Sequence, residues 1–121
     1  MDNDYKTEYD AFVHEFGKRE LDGAEAGQVI ARMASYYGTY NLRLANALRA
    51  YSVALRDISN TTDANGKPLS SARAEQLAQA TEEYHTYQIQ RTHVQNIEQY
   101  INAIKALQRG LINEYAHQGV A

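Results

Sequence analysis

Two Glu-x-x-His pairs, Glu82 with His85 and Glu114 with His117, come nearest to metal chemistry in this chain. On a helix, a carboxylate and an imidazole at that spacing share a face, as they do in bundles that hold two metal ions. Both pairs fall on one predicted helix, about 48 Å apart at 1.5 Å per residue, and cannot meet within one chain. The facing carboxylates such a centre needs are missing, since no acid stands between Glu25 and Asp57. The pairs are expected to be solvated, with no metal bound. A second group, His85, Arg91 and His93, is expected near Tyr40 and Asn41 across a hairpin. Catalysis there would need a concave pocket and matched acid and base groups. The expectation is instead a polar layer of Asn41, Gln88 and Arg91 that sets register, as buried Asn does in coiled coils. Ser35, Ser52, Ser59, Ser70 and Ser71 stand in no nucleophile motif, and no Gly-rich phosphate loop or zinc spacing occurs. The reading is a protein that is not an enzyme and has no cofactor, metal site or small-molecule substrate.

Composition bounds the remaining classes. The 121 residues suffice for one domain, expected to span residues 1–121, with a modest core. At 44% apolar and 22% charged, the chain is neither disordered in bulk nor membrane-spanning. A net charge of −3 without a basic block argues against nucleic acid as a partner. Cysteine is absent, which excludes disulfides and thiolate chemistry. Met1-Asp2-Asn3-Asp4 lacks the basic and apolar regions of a signal peptide, so the expected location is the cytoplasm or an assembled particle. Ten tyrosines stand beside two phenylalanines and no tryptophan. Tyrosine buries its ring while its hydroxyl stays wet. Such usage fits half-buried positions in a thin bundle or an assembly surface, and equally a core that uses tyrosine for leucine.

The elements that must position these residues are all helical. Tyr5, Tyr9, Phe12, Val13 and Phe16 form one stripe and predict a short helix over 4–16. Asp22, with Glu25 three residues on, predicts the start of a second helix that runs to residue 59. Ile30, Tyr37, Leu44, Tyr51 and Ile58 recur every seven residues, with Met33, Tyr40, Ala47 and Ala54 in the complementary position. That heptad pattern predicts a helix about 55 Å long, packed lengthwise on another. Gly38, inside it, marks close packing or plain tolerance. Asn65-Gly66 and Pro68 predict the hairpin tip, and Ser70 or Ser71 a cap for a third helix over 71–116. Leu77, Ala80, Tyr84, Tyr87 and Val94 make one stripe of this helix, and Ile97, Ile101, Ile104, Leu107, Leu111 and Tyr115 another. The expected fold is all-α: a long antiparallel helical hairpin (22–59 and 71–116) with the short helix 4–16 at its base. Folding about the tip sets Tyr40 near Ile89, Met33 near Asn96 and Tyr51 near Ala78.

The base of this hairpin is three helices thick and the tip two. Two helices cannot cover a broad apolar stripe, so Leu48, Tyr51, Leu55, Leu77, Tyr84 and Tyr87 are the expected interface. Arg32, Arg43, Arg49 and Arg56 are expected to pair with Glu75, Glu82, Glu83 and Glu98 between the long helices, or to form a face for an acidic partner. Pro68 in the turn, followed by Glu83-Tyr84-His85-Thr86-Tyr87, resembles the type III secretion needle subunits. Those are short helical hairpins that polymerise, with a proline-containing turn and a Glu-Tyr-x-x-Tyr-Arg stretch. Gln88 stands where that family has arginine, its Asn-Thr-Val-Lys segment has no counterpart, and the N-terminal helix is additional. The resemblance covers the turn and part of the third helix, and implies that such a hairpin can be a building block. The expected function is a structural or interaction subunit of a larger bacterial or phage assembly, homo-oligomeric or bound to a protein partner. The alternative is a small helical adaptor or chaperone-like regulator, monomeric or dimeric.

Overall fold

The computed structural model describes residues 4–18 and 22–118, with side chains as far as Leu111. Among them the fold is all-α: α1 (Asp4–Lys18), α2 (Gly23–Ser59), α3 (Ser71–Ala78) and α4 (Glu82–Gln118). The long helices α2 and α4 pack against each other as the hairpin, with α1 at the base. No helix is long and apolar enough to cross a membrane among the described residues.

The chain packs as two compact units, Met1–Thr39 with Gln95–Ala121, and Tyr40–Val94. In the first, Asp22 opens α2 as the sequence predicts: its Oδ1 accepts from Glu25 N at 2.8 Å. Such a cap satisfies one of the donors that a helix start leaves free. Tyr5 and Phe12 of α1 are buried together with Ala26, Val29, Met33, Ile97 and Ile104. Tyr5 meets Tyr36 and Tyr100 at 6.4 and 5.9 Å, and Tyr9 stacks on Tyr100 at 4.1 Å. Tyr5 is fully buried, as are Met33, Ile97 and Ile104, and burying a large apolar side chain is worth about 1.5–3 kcal/mol; Tyr9, Tyr36 and Tyr100 are half-buried around it. Val13, placed by its spacing on the α1 stripe, is exposed instead. Gln108 Nε2 donates to the Gly23 carbonyl at 3.0 Å and ties α4 to the start of α2.

The second unit is thinner. Its buried apolar residues are Tyr40, Ala47, Ala74, Ala78 and Val94. The tip is a tight loop built on one carboxylate: Asp63 Oδ1 accepts from Asn65 N (2.8 Å) and Lys67 N (3.0 Å), and Gly66 turns it at φ +76°. Ser70 then caps α3, accepting from Arg73 N at 3.1 Å.

The predicted third helix is in fact two. Its break falls at Gln79–Thr81, where Ala80 N and Thr81 N bond three residues back to the Leu77 and Ala78 carbonyls. Thr81 Oγ1 then accepts from Tyr84 N, and Glu82 and Glu83 occupy the first turn of α4. A capping threonine followed by two acids is a helix start that competes with continuation. The pairing across the hairpin is shifted accordingly. Tyr40 meets His93, not Ile89, and Tyr51 meets Tyr84 and Tyr87, not Ala78. The partners lie about one to two and a half helical turns further along the return helix, because α3 and the break use up residues that a direct return would have paired.

Candidate interface

The Tyr40–Val94 unit is where aromatic and apolar side chains outrun the available cover. At its centre Tyr51 of α2 stacks on Tyr87 of α4 (5.8 Å between centroids, 5° between planes) and meets Tyr84 at 5.1 Å. Tyr84 and Tyr87 lie 6.3 Å apart, closing a triangle of rings, and Gln88 Nε2 donates to the Tyr84 hydroxyl at 3.0 Å. All three rings are half-buried. Burial, reinforced by the Glu75 carboxylate of α3 and then by Tyr84 and Tyr87, pushes the Tyr51 hydroxyl above its ordinary value. It therefore stays protonated and able to donate through the neutral range.

Of the six residues expected to form an interface, the structure joins Tyr51, Tyr84 and Tyr87 directly to one another. Leu55 is half-buried, while Leu48 (44%) and Leu77 are exposed. The tyrosines thus spend part of their surface on each other, and the leucines carry more of what is open. Sequence reasoning missed Leu42 (65% exposed), Val53 and Ile89. Leu42 and Val53 are among the apolar residues of α2 outside its heptads; at eleven residues apart they share a face, opposite Tyr51. Among the described residues, the exposed large apolar side chains are Val13 in the first unit and Leu42, Leu48, Val53, Leu77 and Ile89 in the second. An open groove of about 610 Å³ runs beside Val53, lined by Arg49, Ala50, Ala54, Asp57, Ile58 and Glu83 among others.

The polar expectations are corrected. Gln88 and Arg91 are exposed and form no buried layer with the half-buried Asn41. The polar group at that height is His93 against Tyr40 at 5.0 Å, with the Arg43 guanidinium 4.8 Å from the same ring. Arg32 reaches Glu8 of α1 at 3.4 Å and Arg56 its own neighbour Asp57 at 3.6 Å, instead of acids on the return helix, and Glu98 accepts from the Tyr37 hydroxyl at 2.8 Å. Glu82 and His85 are exposed on α4, and the side chains of Glu114 and His117 lie outside the described residues. No group of three metal-ligating side chains occurs among the described residues.

No family model matches this chain, and neither a curated protein nor a solved structure is similar to it.

Proposed function

We propose that this chain is a non-enzymatic building block that assembles with further copies of itself through the Tyr40–Val94 unit. The observation that carries the reading is the concentration of exposed large apolar side chains there: Leu42, Leu48, Val53, Leu77 and Ile89 against Val13 in the first unit. Apolar area that a chain cannot cover by itself is what interfaces are made from. Tyrosine supplies such area at low entropy cost, and the half-buried Tyr51, Tyr84 and Tyr87 rings keep part of theirs open. The charge of the unit favours like partners. Residues 40–94 hold six Lys and Arg against five Asp and Glu, so two copies meet without net repulsion and without selecting an acidic or basic stranger.

The test is sedimentation velocity on the full chain over a wide concentration range, beside the double variant Leu48→Ser with Leu77→Ser. Both leucines are exposed, so the variant keeps its helices by circular dichroism. The wild type should gain mass with concentration, and the variant should need at least tenfold more protein to do so. A wild type that stays monomeric throughout overturns the reading in favour of the monomeric adaptor.

A further inference from the structure

The α2 helix carries a second heptad seam on a face that its hairpin does not use. Arg43, Asn46, Ala50, Val53 and Asp57, all exposed, follow one another at the three- and four-residue spacing of coiled-coil a and d positions, with Ala50 and Val53 as the apolar members. The face is centred about 120° round the helix from Tyr51, and Leu42 and Arg49 lie along its outer edge. Val53, Ala50 and Leu42 are exposed, and the open groove at Ala50, Ala54, Ile58 and Glu83 runs alongside.

We propose that this seam pairs with the same seam of a second copy, antiparallel, about a two-fold axis at Ala50; the proposal rests on the self-assembly reading above and adds a second, distinct contact to it. Charge selects the occupant and the direction. One end of the seam is basic (Arg43), and the other carries Asp57 beside Glu83, which lines the same groove. An antiparallel copy sets Arg43 against the other copy's Asp57 at each end of the seam. A parallel copy sets Arg43 on Arg43 and Asp57 on Asp57, which is repulsive. The Arg56–Asp57 contact at 3.6 Å leaves the carboxylate room for a second cation, since both side chains are about two-thirds exposed. At the axis stands alanine, small enough for two helices to approach closely, and Val53 falls opposite the exposed Asn46. A two-fold contact of this kind is self-complementary by construction. Because this face and the Leu48–Tyr51 side lie on different sides of α2, a copy that used both would carry growth past a dimer.

The chain has no cysteine, so a single introduced one is a clean reporter. Ala50→Cys places two sulfurs at the axis, where Cα atoms within about 7 Å can be bridged. Ser52→Cys, exposed but off the seam, is the control. Under mild oxidation Ala50→Cys should form covalent dimers at least tenfold faster than Ser52→Cys. Adding Asp57→Arg should slow this several-fold, and adding Arg43→Glu to that variant should restore it. Equal rates at positions 50 and 52, in a wild type whose mass rises with concentration, overturn the antiparallel seam and leave the assembly reading standing. A wild type that is monomeric at every concentration removes both. A position-50 bridge insensitive to the charge changes overturns the charge-selected direction.

Discussion

Tyr51 has a hydroxyl whose ionisation is opposed first by burial and then by the Glu75 carboxylate. Its raised pKa makes the folded state hold the proton more firmly than the unfolded chain does. That contribution is fully present below the ordinary tyrosine value near 10 and is lost as pH rises past it through the folded value. In an ultraviolet titration, Tyr51→Phe should remove a late-titrating tyrosine, and Glu75→Gln should move it earlier. If neither variant changes the high-pH part of the curve, the three rings do not sit as described. Two glycines separate tolerance from need. Gly38 has open space where a Cβ would stand and lies mid-helix, so Gly38→Ala should stabilise by about 1 kcal/mol in urea unfolding. Gly66, at φ +76°, should lose about 1–2 kcal/mol on the same change. The turn at Asn65-Gly66 was legible in the sequence. That the Asp63 carboxylate organises it was not, because the bonds from Asn65 N and Lys67 N depend on a loop conformation that spacing does not specify.

The helices themselves were the legible part. The Asp22 cap, the heptads of α2 and the position of α1 at the base all follow from period and capping, which act over a few residues. The break between α3 and α4 was written as Thr81-Glu82-Glu83 but lost to the continuous stripe around it. The register error followed from that, since pairing across a hairpin depends on every residue used at the tip. Thr81→Ala removes the acceptor for Tyr84 N and should cost about 1 kcal/mol. The cost should appear in the protection of the first turn of α4 against hydrogen exchange, and unchanged protection there would count against the capping role. Arg91, expected in a buried polar layer, is exposed. Arg91→Leu should therefore leave unfolding within about 0.5 kcal/mol of wild type, and a larger loss would point to a partner for its guanidinium.

At the scale of the whole molecule, charge and apolar exposure divide in the same way. Of the Asp and Glu residues, ten fall in the first unit against six Lys and Arg, while the second is nearly balanced and bears most of the exposed large apolar side chains. The candidate surface was half legible: of the six residues named for it, Leu48 and Leu77 are exposed, and the tyrosines are shared between packing and exposure. Leu42 and Val53 lie off the apolar period of α2, which marks only the face the hairpin buries. The central claim is that copies meet through residues 40–94. Hydrogen–deuterium exchange at two protein concentrations, a hundredfold apart, tests it most directly. Peptides from Tyr40–Val94 should gain protection at the higher concentration, with the largest gains around Leu48 and Val53, while peptides from α1 and the start of α2 stay unchanged. Protection that is the same at both concentrations, or that rises only outside residues 40–94, would contradict the account.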